Sequence, residues 1–141
     1  MLFRSFDNKR WLLSHGDALC LDDGDYMQFR QQVRSTEWQT AFLAKPLAER
    51  QTIARGLRQQ SEARKESGAE YADVDASAAR QWLEQAKSVT LIHGHTHKPA
   101  IHELGDGLQR VVLSDWDTAA KPPRAEVLRL SAQGLQRIAL T

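Results

Sequence analysis

His93, His95, His97 and His102 fall within ten residues and account for four of the five histidines in the chain; the fifth is His15. Neutral imidazole suits divalent transition metals such as manganese. A pair of such ions about 3.5–4 Å apart can clamp a phosphoryl group and turn bound water into a nucleophile. His95 and His97 are two residues apart, so an extended backbone would send both rings to the same side, and Gly94 before them leaves room for close approach to a ligand. His15 could complete the shell of one ion from a distance. The competing reading of any histidine is structural, a cap or a bond to a backbone carbonyl. That reading suits a single residue better than a cluster, and it stays open for His93 and His102.

Two short apolar runs have to carry these groups. Trp11, Leu12, Leu13 and Ser14 stop at His15-Gly16-Asp17, and Val89, Thr90, Leu91 and Ile92 stop at the Gly94 to His97 cluster. Both read as buried strands that deliver polar residues to loops at their ends. Between them the pattern is helical. Tyr26, Phe29, Arg30 and Val33 recur at helical spacing, Trp38, Ala41 and Phe42 follow, Pro46 can open a second helix at its first turn, and Gly68 marks where that helix ends. Asp75 is an N-cap for a third helix that turns Trp82 and Leu83 to the core. Residues 111–113, 127–130 and 135–140 read as further strands, with Gly134 in the last turn. The order predicts a layered mixed α/β (α+β) fold.

Composition narrows the rest. The 141 residues are enough for one domain, 41% of them are apolar and 26% charged, and the net charge of +1 gives no bulk attraction to nucleic acid, so no nucleic-acid partner is expected. The single cysteine, Cys20, permits no internal disulfide and reads as a small buried residue. No apolar run near the start is long enough for a signal peptide or a membrane span, which points to a cytoplasmic address. Charge is local instead. Between Tyr26 and Glu66 there are eight basic residues against four acidic ones, a local +4 interleaved with Trp38, Phe42, Leu43 and Leu47. Asp115 and Asp117, flanking Trp116, read as turn carboxylates.

Gly94 to His97 and the earlier His15 resemble the Gly-His-x-His motif and the lone histidine that calcineurin-like metallophosphoesterases place after two strands. Two strings carry a closer likeness. Residues 15–23, His-Gly-Asp-Ala-Leu-Cys-Leu-Asp-Asp, and residues 93–104, His-Gly-His-Thr-His-Lys-Pro-Ala-Ile-His-Glu-Leu, look like UDP-2,3-diacylglucosamine diphosphatases, a hydrolase family of lipid A biosynthesis. The helical block between them matches in length. The resemblance implies the C-terminal part of a metallophosphoesterase sandwich over residues 1–141, with residues 26–87 inserted as a helical lid. It also implies hydrolysis of the pyrophosphate of UDP-2,3-diacylglucosamine to 2,3-diacylglucosamine 1-phosphate (lipid X) and UMP, with two manganese ions as cofactors. Carried over by position, His15 and His95 would bind one metal and His97 the other, while Asp23, Ser61, Lys65 and His95 would contact substrate. The enzyme would then sit peripherally on the cytoplasmic face of the inner membrane.

The chain departs from that family in one way that matters. The Asp-x-His, Gly-Asp and Gly-Asn-His/Arg-Asp motifs expected before the lone histidine are absent, and the only asparagine, Asn8, is followed by lysine. Three histidines cannot fill two shells of about four to six ligands that also need a carboxylate. The expectation is a partial site, inactive alone, whose missing partner is the N-terminal half of the same domain. The strand at 11–14 would then lack its flanking strands and leave apolar surface bare. Two other readings stay open: a fragment of another calcineurin-like phosphoesterase, and a non-enzymatic basic helical module that binds anionic lipid.

Overall fold

A computed structural model describes residues 2–66 and 72–140 of the chain, apart from the side chains of Phe3, Arg64, Lys65 and Glu66. In chain order the elements begin with strands β1 (Leu2–Phe6) and β2 (Lys9–Ser14), then helices α1 (Gly24–Val33), α2 (Thr36–Leu43), α3 (Leu47–Glu66) and α4 (Ala76–Ala86). Strands β3 (Thr90–His93), β4 (Ile101–Gly105), β5 (Leu108–Val112), β6 (Glu126–Ser131) and β7 (Gly134–Ala139) complete it. They divide into two compact units, Met1–Leu21 with Asp73–Thr141, and Asp22–Ala72. The expected mixed α/β class is what forms. α4, which falls inside the 26–87 span read as an insertion, belongs to the first unit.

The first unit is organised by a five-stranded sheet in the order β1-β2-β3-β5-β4. Its centre is parallel, β2 beside β3 beside β5, and both outer strands run antiparallel to their neighbours. Leu12, Leu91, Val111 and Val112 are completely buried, as continuous apolar runs in parallel strands require. α4 packs on β2, β3 and β5 and buries Ala79 and Leu83. The expected cap is present, with Asp75 Oδ1 accepting from the Ala78 amide at 2.7 Å. Trp82 is half-buried. Arg80 ties the helix to the β4–β5 turn by donating to the Leu104 carbonyl and pairing with Asp106.

The strand at 11–14 is not left without a flanking strand on its outer side, contrary to expectation. β1 covers that edge through a two-residue turn, Asp7-Asn8, in which both residues have positive φ (50° and 57°). That is the geometry whose twist matches a hairpin, and Asp and Asn tolerate it. Some apolar surface is nonetheless bare at the sheet margins, at Leu2 and Phe6 on β1 and Ile101 on β4. β6 and β7 form a separate hairpin turned at Gly134, and Arg137 links it to β5 by donating to the Val112 carbonyl at 2.8 Å.

In the second unit the helical pattern breaks where side chains can cap. The Asp23 carboxylate accepts from the Tyr26 amide at the start of α1, and the Ser35 hydroxyl accepts from the Trp38 amide at the start of α2. The Pro46 carbonyl accepts from Arg50, so proline stands at the opening of α3 as its missing N–H predicts. No residue of α1 or α2 is buried. Trp38 and Phe42 stack on each other, with centroids 4.8 Å apart. Gly68, the expected helix end, lies outside the described residues.

Candidate functional site

Parallel pairing of β2 with β3 sets Ser14 opposite His93, so the loops that leave the two strands start side by side. They are then stitched together. The Gly94 amide donates to the His15 carbonyl at 3.1 Å, and Gly16, at φ 103°, turns the first loop into a 3₁₀ turn at Asp17–Leu19 closed by Leu19 N–H on the Gly16 carbonyl. The result brings His15 Nε2 to 3.2 Å from His95 Nδ1, with the rings edge-on and their centroids 5.0 Å apart. Two imidazole nitrogens that each bind one ion at about 2.1 Å lie about 3.0–3.4 Å from one another when the angle between them is near tetrahedral or smaller. The observed separation fits two ligands of a single cation. No third histidine, cysteine or carboxylate joins them among the described residues, so this pair does not make a closed shell or a dinuclear centre by itself.

His97 does not lie beside His95 in the manner expected from an extended backbone. β3 ends at His93, and both His95 (φ 67°) and His97 (φ 52°) adopt left-handed backbone angles. Such angles are uncommon outside glycine, and two in three residues mark a loop whose shape is imposed by its surroundings. His97 instead faces Asp115, with Nδ1 3.9 Å from Oδ2. Arg124 holds that carboxylate with two hydrogen bonds of 3.2 and 2.9 Å, and its side-chain hydrogen bonds keep Asp115 below the usual carboxylate range. The sequence reading of Asp115 as a turn residue missed this neighbour, which comes from the far side of β4 and β5.

Beneath the loops lies a buried polar layer. His93 is fully buried; its Nδ1 sits 2.9 Å from the Gly94 carbonyl, and its Nε2 is 3.3 Å from Arg110 Nη1. Arg110, itself buried in β5, also grips Asp73 through both terminal nitrogens, Nη1 and Nη2, at 3.2 and 3.0 Å. Burial pushes His93 and His102 below the ordinary imidazole range, and the Arg110 charge adds to the effect. For Asp73 burial acts upward, but the Val74 amide and Arg110 outweigh it and leave the carboxyl below its ordinary value.

These shifts fix the sign of the acid response. A histidine held neutral in the fold but free to protonate when unfolded withdraws stability as pH falls below the unfolded value of 6.5. An aspartate whose folded pKa is depressed contributes stability above its unfolded value of 3.8, and that contribution is lost as pH falls toward the folded one. We therefore expect the melting temperature to decline from pH 7 to 5 and again below about pH 4. Asp73→Asn should reduce the second decline, leaving the part that Asp115 contributes, and spare the first. A flat melting temperature from pH 7 to 5 in the unmodified chain would contradict the histidine assignment.

Of the residues assigned to substrate, His95 lies in the first unit and the others lie in the second. Asp23 caps α1, and Ser61 is exposed on α3. Lys65 is in the last turn of α3, and its side chain lies outside the described residues. Cys20 is buried, as its type predicts, with its thiol 3.8 Å from the Gly16 carbonyl.

No family model matches the chain. Individual proteins do. It is 53% identical to the UDP-2,3-diacylglucosamine hydrolase of Chromobacterium violaceum over 110 residues, which are 77% of this chain and 46% of that protein. It is 50% identical to the protein of that name from Aromatoleum aromaticum over 79% of this chain and 47% of the relative. With the one from Bordetella pertussis it shares 44% identity over 92% of this chain and 52% of the relative. The resemblance carried by residues 15–23 and 93–104 is thus borne out, and the matched region is the C-terminal part of these relatives. The chain spans about half the length of the curated relatives it matches.

Proposed function

We propose that this chain supplies the C-terminal portion of a UDP-2,3-diacylglucosamine hydrolase, which cleaves the pyrophosphate of that substrate to 2,3-diacylglucosamine 1-phosphate and UMP. The observation that carries this reading is the meeting of His15 and His95, 80 residues apart in sequence, at the ends of two parallel strands. The two strings that carry the resemblance, residues 15–23 and 93–104, are the two that build this meeting point. His15 and His95 would be two ligands of one manganese ion and His97 a ligand of a second, with the carboxylates and remaining donors supplied by an N-terminal portion. When bound, the metals would supply an activated water and a clamp on the phosphate oxygens. The part this chain plays is to hold the imidazoles in register, and to use Asp23, Ser61, Lys65 and His95 to orient the substrate.

Manganese-dependent hydrolysis of UDP-2,3-diacylglucosamine tests this. The purified chain alone should show no turnover, whereas the chain fused behind the N-terminal portion of one of the relatives should be active. His95→Ala in the fusion should lower the rate by more than about 100-fold, since even outer partners of a metal ligand are worth about 10–100-fold. A correctly folded fusion without activity, or a His95→Ala fusion with full activity, would sink the proposal.

The second unit serves, in the same reading, as a lid for the acyl chains, at the cytoplasmic face of the inner membrane. Support comes from Leu43 and Leu47, 63% and 62% exposed beside the Trp38–Phe42 stack, within the stretch carrying the +4 excess. No helix among the described residues is long and apolar enough to cross a membrane. Replacing Trp38 and Phe42 with serine in the active fusion should raise KM for the diacylated substrate and leave that for its deacylated form unchanged. Equal kinetics on both substrates before and after the change would remove the lid.

A further inference from the structure

We propose that Arg110 is a positioning residue for the histidine pair: anchored on Asp73, its guanidinium fixes the orientation and tautomer of His93, and His93 locks the Gly16 and Gly94 loops together so that His15 meets His95. The consequence for activity rests on the proposed function, whereas the clamp itself does not.

The argument begins with which groups can donate. A guanidinium carries only donors and does not lose its proton in a protein. Arg110 Nη1 has two hydrogens, and its two partners are Asp73 Oδ1 at 3.2 Å and His93 Nε2 at 3.3 Å. Nε2 must therefore present a lone pair. On the other side of the ring the Gly94 carbonyl, 2.9 Å from Nδ1, can only accept. The proton of a neutral His93 thus sits on Nδ1: moving it to Nε2 would set donor against donor at one end and acceptor against acceptor at the other, and flipping the ring would put a carbon where each nitrogen meets its partner. Asp73, by holding both terminal guanidinium nitrogens, leaves Arg110 one direction in which to point.

The place of the ring gives this arrangement its reach. A side-chain carbon on Gly16 would lie 2.9 Å from His93 Nδ1 and 3.2 Å from the Gly94 carbonyl, so the first loop is in close contact with the ring through the gap a glycine leaves. The second loop is bound to the ring by the Gly94 carbonyl and to the first by the Gly94 amide on the His15 carbonyl. His15 precedes Gly16 and His95 follows Gly94, so each paired imidazole is one residue from a backbone group that His93 touches. The layer is also more than filler. Val111 and Val112 beside Arg110 show that this part of β5 accommodates aliphatic side chains, and an apolar residue there would avoid the cost of burying a charge.

The test is nitrogen-15 NMR of the imidazoles in the intact chain, which distinguishes a protonated ring nitrogen from a lone pair. Unmodified protein should show His93 protonated on Nδ1 and bare on Nε2, together with proton contacts between the His15 and His95 rings. Arg110→Met should lose the single tautomer and the contacts between rings, while Arg110→Lys, which still donates one hydrogen bond, should keep the tautomer. Titrating the metal alone, Mn²⁺ should broaden the His15 and His95 ring signals at a concentration about 10-fold or more higher in Arg110→Met than in the unmodified chain. A His93 proton on Nε2 in the unmodified chain, or an unchanged His93 and ring pair in Arg110→Met, overturns the proposal. Should Arg110→Met fail to fold, Asp73→Asn provides the second reading: it should leave Arg110 mobile and the His93 tautomer mixed, and an unchanged tautomer there overturns the clamp. If Mn²⁺ broadens neither ring while the tautomer result holds, the metal-binding role fails and the clamp stands.

Discussion

Gly16→Ala lowers the stability of the chain by about 2–4 kcal/mol, the larger part from backbone strain of about 1–3 kcal/mol and the rest from a contact that cannot relax. Gly16 has φ 103°, a region in which a side chain is strained whatever the space around it. The new carbon also has nowhere to go. Its nearest neighbour, His93 Nδ1, would be 2.9 Å away, and that ring is completely buried and bonded at both ends. Relief must come from the loop itself, which would carry His15 away from His95. Urea denaturation should show a lower midpoint with an unchanged slope, the sign of lost stability without a changed unfolded state. The active fusion should lose metal affinity alongside. A stability change below about 0.5 kcal/mol, the range of an ordinary surface substitution, would mean that the turn at Gly16 is looser than its geometry indicates.

Leu83→Ala costs as much or more, about 2–5 kcal/mol, but by a different route and with a different signature. Leu83 is fully buried on the face of α4 that packs against β2, β3 and β5, and truncation leaves a void that neighbours fixed in a parallel sheet can only partly fill. Against a typical domain stability of about 5–15 kcal/mol that is a large share. Leu83 makes none of the side-chain hydrogen bonds that hold His93, His15 and His95. The folded fraction of Leu83→Ala should therefore keep the His93 tautomer and the His15–His95 ring contacts, which Gly16→Ala should disturb. If the two substitutions gave the same NMR signature at the rings, the loops would be responding to general loosening and not to the local lock.

The contrast between those two sites shows what the sequence makes legible. The strands at 11–14 and 89–92 announce themselves because a parallel strand buried on both faces is a run of apolar residues, and each run stops at a histidine and glycine cluster. Asp75, with its cap at Ala78, and the turn at Gly134 were equally legible, since their signals are local. β1 and β4 were not. As edge strands they mix Arg4 and Ser5, or His102 and Glu103, with apolar neighbours, and no periodic run remains to be read. The Asp73–Arg110–His93 layer was invisible for another reason: its members are separated by 37 and 17 residues, and only the β3–β5 pairing and the segment that leads into α4 bring them together. The sequence accordingly leaves His93 open between metal ligand and structural residue. The position it takes up, under both loops and bonded to Arg110, is what suggests a third role.

The pairing of Trp11 with Thr90 also sets a timetable. The β1–β2 hairpin closes through a two-residue turn and can form as soon as it is made, and helices α1 to α3 depend on neighbours a few residues away. β2 must then wait for β3, a search across the whole intervening chain whose entropic cost grows only slowly with length but which is paid before any contact rewards it. Refolding should therefore show early helix signal and a later step that buries Trp11. The two imidazoles can meet only in that later step, so their proximity is a clock that strikes once, when β2 and β3 have found each other across the helices between them.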